Sequence, residues 1–256
     1  MPQRALPMTK IEALWTALTQ EGQSKRCLGF LEDAPWQHHI YCLPGRFPQP
    51  QITPPSPLKT LLCNPTTSSL ATREKRILAL TLALAVLHLH DTPWLAYNWD
   101  TKDIYCLNRA RNTSSPFTNN LYVSRNFSPP PSPPPSQTTT PTRRFVKNET
   151  VFALGIALLE LSFRAPLRSH STPSDLNDSG AIDSLTEFSI ATRLADEIHM
   201  RELPNYARAV ARCVRCSFDT FRCDFGEKEF RERFYEGVVL PLREDWEYAV
   251  GGGGRP

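Results

Sequence analysis

The chain has 256 residues, of which 40% are hydrophobic and 21% are charged, and its formal net charge at pH 7 is +3. That length can hold one large domain or two small ones, and the composition is typical of a soluble globular protein. A net charge this small, without a run of lysine or arginine, gives no reason to expect nucleic-acid binding.

The first predicted element is a helix from about Thr9 to Gln20, in which Thr9 and Glu12 form a capping-box pattern. The residues before it contain no apolar run of the signal-peptide type. The chain contains seven cysteines, an odd number, and without a secretion signal this favours reduced thiols. We therefore expect a cytoplasmic location.

Two short strands, CLGFLED and HHIYCLP, are predicted next, with APWQ joining them. The proline-rich connector FPQPQITPPSP then leads to a short helix, LKTLLC. A long helix from about Thr72 to His90 begins with charged residues and becomes apolar on nearly every face, which indicates a buried helix. Its apolar run, ILALTLALAVL, is too short to cross a bilayer, so no membrane span is predicted.

After the long helix, DIYCL and NNLYVSR are predicted to be short strands. The stretch SPPPSPPPSQTTTPT, residues 128–142, is rich in proline, serine and threonine and is predicted to be a disordered, exposed loop. The segment NETVFALGIALLELSF predicts a second buried helix, with Asn148 as its N-cap.

Three more helices are predicted in the last third of the chain. They lie around Thr186–Met200, within LPNYARAVARCVRCSF and from about Glu227 onward. In the last of them, apolar residues recur at helical spacing: Phe230, Phe234, Val238 and Leu242. Residues 250–256 are predicted to be a flexible tail. The predicted fold class is therefore mainly α (α+β), with the few strands in the first half.

The segment AYNWDTKDI, residues 96–104, has the spacing of a protein kinase catalytic loop without its chemistry. In the kinase signature H-R-D-L-x-x-x-N, the aspartate is the catalytic base and the asparagine holds magnesium. Asn98 stands in place of that aspartate, and an amide cannot accept the substrate's proton. Asp103 stands in place of the asparagine, and Asp100 puts a negative charge where the γ-phosphate would lie. The sequence thus predicts degenerate positions at Asn98, Asp100 and Asp103, with no catalytic, cofactor-binding or metal-binding residue.

Other parts of a kinase site are also missing from the sequence. The glycines before this segment do not form a glycine-rich phosphate loop, and no V-A-I-K-like strand supplies a phosphate-binding lysine. A literal DFG occurs at 224–226, but it lies out of kinase order. Asp224 and Glu227 fit a helix-capping pattern, which requires no catalysis.

Two further patterns favour packing over chemistry. Cys213 and Cys216, with Cys223 seven residues on, lack the second ligand pair that a structural zinc site requires, so buried cysteines are the favoured interpretation. Trp94, in the sequence TPWL, is interpreted as an anchor of the hydrophobic core.

The chain resembles a fungal protein-kinase-like domain of unknown function, domain of unknown function 7580, which is often found behind HeLo-type or prion-inhibition-and-propagation domains. The residues that carry the resemblance cover most of residues 27–243 in the family's order. They are CLGFLED with HHIYCLP, REKRILALTLALAVLHLHDTPWL, DIYCL, NETVFALGIALLELSFRAPL, YARAVARCVRCSF and EFRERFYEGVVLPL. The most specific of them are LHLHDTPWL and FALGIALLEL.

The resemblance implies a degenerate kinase C-lobe with a reduced N-lobe of one helix and two short strands. A single kinase-like domain would then cover residues 1–256, with the reduced N-lobe at about 8–57 and the helical C-lobe-like part at about 58–249. Thr150 replaces the aspartate that usually anchors the catalytic loop from the kinase F helix.

These features together lead us to expect a pseudokinase, which is a catalytically inactive kinase-like module that binds or regulates protein partners and uses no cofactor. The family association suggests fungal self/non-self or cell-death signalling. Two alternatives stay open. One is an active phosphotransferase that uses displaced carboxylates, Asp100 and Asp103. The other is a structural scaffold for partner domains.

Overall fold

A computed structural model describes ten stretches of the chain, whose ranges are given at the end of this paragraph. In its described residues the fold is mainly helical, with one sheet of two strands and one of three, which confirms the predicted mainly helical class. The chain separates into two units, Met1–Gln51 and Ile52–Pro256. The described residues are 10–12, 27–33, 36–41, 56–63, 70–92, 94–96, 99–106, 121–123, 146–176 and 184–251.

The first unit contains an antiparallel hairpin of β1 (Cys27–Asp33) and β2 (Trp36–Tyr41). Asp33 pairs with Trp36, so only two residues separate the strands, as in the tightest hairpins. The predicted four-residue link APWQ was therefore too long, because its last two residues already belong to β2.

The start of the chain also pairs with this hairpin. Lys10 forms a parallel bridge with Phe30, and the Ile11 N–H donates to the Phe30 carbonyl at 2.8 Å. Here the backbone pairs with a strand, at the position where the predicted first helix would begin. Residues 13–20, which hold most of that predicted helix, lie outside the described residues.

The second unit contains a small antiparallel sheet in the order β3–β4–β5. Its strands are β3 (Ser56–Pro57), β4 (Ile104–Cys106) and β5 (Leu121–Val123). The two strands predicted from DIYCL and NNLYVSR are confirmed. β3 was missed because it lies at the end of a proline-rich connector, but proline is tolerated on an edge strand, where its missing N–H breaks no ladder.

Helices make up most of the second unit, and each predicted helix there is present to within a few residues. A π-helical segment, Tyr235–Val239, joins the last two of them. Short 3₁₀ turns lie at Leu167–His170, Pro173–Asp175 and Ile198–Met200. The helices are α1 (Leu58–Cys63), α2 (Thr72–Leu89), α3 (Glu149–Phe163), α4 (Ser184–Glu197), α5 (Pro204–Arg215), α6 (Lys228–Phe234) and α7 (Leu240–Gly251).

The beginnings of the two central helices are fixed by side-chain hydrogen bonds. Asn148 Oδ1 accepts from the Val151 N–H at 3.0 Å, which confirms the predicted N-cap of α3. At the start of α2, the Glu74 carboxylate accepts from the Ala71 N–H at 2.8 Å. Each bond satisfies a backbone donor that the helix itself leaves unpaired.

The core lies where α3 packs against α2 and α5, with α7 against α2. Fully burying one large aliphatic or aromatic side chain contributes about 1.5–3 kcal/mol, so this cluster is the main source of stability. Its largest fully buried members include Leu78, Leu154, Leu158, Leu161, Tyr206, Phe218, Phe230 and Phe234.

The prediction that Trp94 anchors the core was wrong, because Trp94 is 54% exposed. Among the tryptophans that the structure describes, the buried one is Trp99, which is 4% exposed and has a hydrogen-bond acceptor inside the protein. Trp94 lies in the turn that follows α2, where the chain has already left the helix.

Three further predictions concern the proline-rich loop, the C-terminal tail and the absence of a membrane span. The loop at 128–142 lies outside the described residues. α7 continues to Gly251, two residues into the segment predicted as a tail at 250–256. Among the described helices, none has the length and apolar character that crossing a bilayer requires.

Candidate functional site

The positions aligned with a kinase catalytic loop form a tight turn, residues 99–103, before β4. Asp103 Oδ2 accepts from the Asp100 N–H at 2.9 Å, and the Asp103 N–H donates to the Asp100 carbonyl at 2.9 Å. The Asp103 carboxylate therefore closes the turn. Asn98, the third predicted position, lies outside the described residues.

Asp100 is paired with two lysines at the same turn. Its Oδ2 lies 3.2 Å from Lys59 Nζ and 3.7 Å from Lys102 Nζ, and its Oδ1 lies 3.0 Å from the Thr101 hydroxyl. Partial burial raises the pKa of Asp100, but the charge of Lys59 and its hydrogen bond outweigh this effect and lower the pKa overall. A carboxylate with a lowered pKa is a poorer general base.

Thr101 connects the turn to the interior of α3. Its hydroxyl lies 2.6 Å from Glu160 Oε2, and the Leu167 N–H donates to Glu160 Oε1 at 2.9 Å. Thr101 is 1% exposed and Glu160 4%. Burial raises the pKa of Glu160, although the hydrogen bonds from Thr101 and Leu167 oppose this effect.

Two more hydrogen bonds hold the turn in place. The Trp99 indole N–H donates to the Thr150 carbonyl at 3.2 Å, and the Lys59 N–H donates to the Thr101 carbonyl at 3.2 Å. Thr150 and Glu160 are ten residues apart on α3, a distance of about 15 Å along a helix. Trp99 and Thr101 thus fasten the turn near both ends of α3.

Sequence reasoning identified Asp100 and Asp103 but missed the residues that surround them. The structure adds Lys59, Thr101 and Glu160 to the site. Glu160 could have been noticed, because it is the one charged residue within the apolar run of α3, and buried carboxylates require partners. Nothing in the sequence indicates that Lys59, 41 positions before Asp100, is its partner.

The DFG triplet belongs to an aromatic cluster. Phe225 stacks on His90 with ring centroids 4.7 Å apart and lies in contact with two further rings. The predicted cap at Asp224 and Glu227 was wrong, because Asp224 Oδ1 accepts from the Gly226 N–H at 2.9 Å and Glu227 makes no side-chain cap. The rings that contact Phe225 are Phe230 and Phe234.

Cys213 and Cys216 are buried free thiols, as predicted, whereas Cys223 is a free thiol that is only partly buried. Cys213 lies within the helix, and Cys216 is its C-cap in the left-handed region, at φ 46°. Among the residues that the structure describes, no group of histidine, cysteine, aspartate and glutamate is suited to hold a metal ion.

A second cluster of charged side chains lies inside the helical unit. Arg76 NH2 lies 3.0 Å from Glu202 Oε2, and its NH1 lies 3.6 Å from Asp245 Oδ2. The guanidinium also lies over the Tyr206 ring, 4.9 Å from its centroid, and the Tyr206 hydroxyl donates to the Leu158 carbonyl at 2.8 Å. All three charged side chains are buried, and Arg76 is paired with each of the two carboxylates, so this cluster connects α2 to α7 and to the residues before α5.

A family model described as Domain of unknown function (DUF7580) matches residues 8–248. The matched range includes the turn at 99–103, its lysine partner on α1 and the whole of α3. Neither the curated proteins nor the solved structures contain a match to this chain.

Proposed function

The chain belongs to the DUF7580 family, and from that premise we propose that it is a catalytically inactive, kinase-like binding or regulatory module. The order of elements supports the kinase-like part of this proposal. A long buried helix, α2, is followed by the turn, by short strands and by a second buried helix, α3. A kinase C-lobe places its catalytic loop in the same way, before its F helix.

The observation that carries the inactive part is the use of both carboxylates in the turn. Asp103 binds the Asp100 N–H, and Asp100 is paired with Lys59. A kinase needs one such group to accept the hydroxyl proton of the substrate and another to hold magnesium. Here either role would have to compete with contacts that these carboxylates already make within the turn.

The alternative, a phosphotransferase with displaced carboxylates, requires the contacts of Asp100 to rearrange. Asp100 would have to leave Lys59 and bind magnesium, and Lys59 would then be free to contact the phosphates. The lowered pKa of Asp100 would keep it ionised and able to bind a cation. This alternative therefore predicts that magnesium and ATP bind together and that binding depends on both side chains.

Thermal-shift titration with ATP, magnesium and both together separates the two proposals. The inactive module is expected to show the same melting temperature in all conditions. A rise of several degrees that needs both ATP and magnesium, and that disappears in Asp100→Asn and Lys59→Met, would establish the phosphotransferase site. Lys102→Met is the matched control, because Lys102 is more exposed and lies farther from Asp100.

The setting that we propose is protein–protein signalling of the fungal self/non-self or cell-death type, in the cytoplasm. Its support is the resemblance to domains that follow HeLo-type domains. Affinity capture from a fungal extract, with the folded chain as bait and the heat-unfolded chain as control, tests it. Enrichment of HeLo-type or related signalling proteins by the folded bait alone is expected, and recovery of the same proteins by both baits would contradict the proposal.

A further inference from the structure

Two thiols meet where the chain leaves α5. Cys216 is the C-cap of that helix, and Cys223 returns to it after a loop of six residues. The Cys223 thiol donates to the Cys216 carbonyl at 3.5 Å, so the Cys223 sulfur lies against Cys216. Both cysteines are free. The loop thus returns the Cys223 sulfur to the backbone of Cys216.

We propose that Cys216 and Cys223 form a reversible intramolecular disulfide when the protein is oxidised by hydrogen peroxide. This inference does not depend on the kinase-like function proposed above, because it rests on the loop between the two residues and on their thiols.

The two thiols differ in access to solvent, which assigns them different roles. Cys216 is 4% exposed, whereas Cys223 is only partly buried. Burial raises the pKa of the Cys216 thiol, so Cys216 is protonated and does not itself attack the peroxide. Cys223 is therefore the thiol that meets the oxidant, and Cys216 is the one that resolves the intermediate.

The reaction proceeds in two balanced steps. The Cys223 sulfur attacks one peroxide oxygen, the O–O bond breaks, and the products are a sulfenic acid and one water. The Cys216 sulfur then attacks the sulfenic sulfur, the S–O bond breaks, and the departing hydroxide takes the thiol proton to give a second water. Two thiols lose two electrons in total, and one peroxide is reduced to two waters.

The bond would constrain a segment that contacts α3. The Cys223 carbonyl accepts a hydrogen bond from Asn148 Nδ2 at 2.8 Å, and Asn148 is the N-cap of α3. Phe221, inside the loop, is 99% exposed. Oxidation would therefore fix the loop that presents Phe221 between the end of α5 and the beginning of α3.

Tryptic peptide mapping tests the proposal, because each cysteine near α5 falls in a different peptide. Cys213 is in CVR, Cys216 in CSFDTFR and Cys223 in CDFGEK. The full-length folded chain is treated with hydrogen peroxide, its remaining thiols are alkylated, and the chain is digested. We expect CSFDTFR linked to CDFGEK, lighter by two hydrogen atoms than the two reduced peptides together, and its loss after treatment with dithiothreitol.

Serine variants provide the controls. Cys216→Ser and Cys223→Ser are each expected to abolish the linked species, and circular dichroism checks that they remain folded. Cys63→Ser is expected to retain it, because Cys63 lies exposed on α1. A link to CVR, a linked species that forms only in urea, or Cys223 sulfinic acid beside alkylated Cys216 would each overturn the proposal.

Discussion

The Thr101 hydroxyl is the smallest group on which the turn at 99–103 depends. It has one proton, and its shortest contact, 2.6 Å, is with the buried carboxylate of Glu160. Removing the hydroxyl leaves Glu160 Oε2 without this hydrogen-bond donor. The free energy lost when a buried polar atom is left unsatisfied is larger than the free energy that an average hydrogen bond contributes.

Thr101→Val is therefore expected to lower the free energy of unfolding by about 1–3 kcal/mol. The same substitution should cost far less in a Glu160→Leu background, where no carboxylate remains to lose its partner. Urea denaturation of the two single variants and the double variant gives the coupling between the side chains. An equal cost of Thr101→Val in both backgrounds would contradict the role assigned to this hydrogen bond.

Glu160 also makes a prediction about pH. Burial raises its folded-state pKa above the ordinary glutamate value. Because the pKa of Glu160 is higher in the folded state than in the unfolded state, the folded state favours the neutral form. That stabilisation is fully present at pH values below the unfolded-state pKa, and it is lost as pH rises through the folded-state pKa. Glu160→Gln keeps a neutral side chain at every pH.

The stability of the wild-type chain should accordingly fall relative to that of Glu160→Gln as pH rises through and above the usual range of glutamate titration. Chemical denaturation of both proteins at each pH measures the difference. Asp196→Asn, an exposed site, is the control for general effects of charge. A difference that stays constant, or that changes in the opposite direction, would show that Thr101 and Leu167 stabilise the ionised form fully.

Single residues were also where sequence reasoning was weakest. Asp100 and Asp103 were found because they occupy fixed offsets in a known loop. The exchange of roles between Trp94 and Trp99 could not be seen, because burial of an aromatic ring depends on where the chain turns after α2. The pairing of Lys59 with Asp100 depends in the same way on how α1 packs beside the turn.

At the scale of the helices, one glycine sets how closely α3 approaches α5. A Cβ atom added to Gly155 would lie 2.8 Å from Val214 Cγ2 and 3.0 Å from the Val214 backbone nitrogen. The backbone atom cannot give way unless α5 moves. A glycine inside a helix lowers helix stability by up to about 1 kcal/mol relative to alanine. At this position, the clash that an alanine would make with α5 is expected to cost more than its higher helix propensity would contribute.

Gly155→Ala is expected to lower the free energy of unfolding by about 1–3 kcal/mol, the usual cost of overpacking a core. Gly237→Ala is the matched control, because every atom within 3.2 Å of its added Cβ belongs to the flexible Arg212 side chain, which can move away. Thermal or urea unfolding compares the two variants. Equal effects, or a stabilising Gly155→Ala, would contradict the close-approach argument.

The long helices could be predicted from the sequence because each carries its own signals. α3 has its N-cap in Asn148, and both α2 and α3 have apolar runs longer than a strand requires. β3 and the length of the β1–β2 turn could not be predicted in this way. A two-residue strand has no periodicity, and the strand that pairs with it, β4, lies almost fifty positions further along the chain.

At the scale of the whole molecule, the second unit contains a complete core of its own. Among the described residues, every member of the buried apolar cluster lies between Leu58 and Leu242, and the partly buried apolar residues packed on it end at Trp246. The described part of the first unit contains the β1–β2 hairpin, and a lone two-stranded hairpin is only marginally stable in water.

A chain of residues 52–256 alone is therefore expected to fold and to unfold cooperatively, whereas residues 1–51 alone are not. Far-UV circular dichroism with a urea titration measures both, and the denaturant slope reports how much surface each one exposes. A broad, non-cooperative transition of 52–256 would show that its core is incomplete without the first unit.

The π-helical segment between α6 and α7 explains how apolar residues spaced four apart along this part of the chain can all be buried. Phe230, Phe234, Val238 and Leu242 recur every four residues, and all four are buried. In a regular α-helix, three such steps would turn the stripe by about 120°. A π turn absorbs one extra residue, which reduces that drift to about 20°. The π-helical segment thus keeps the buried residues before and after it on the same side of the helix. If one residue were deleted at this point, the chain could form a continuous α-helix, and Asp245 would still point toward Arg76.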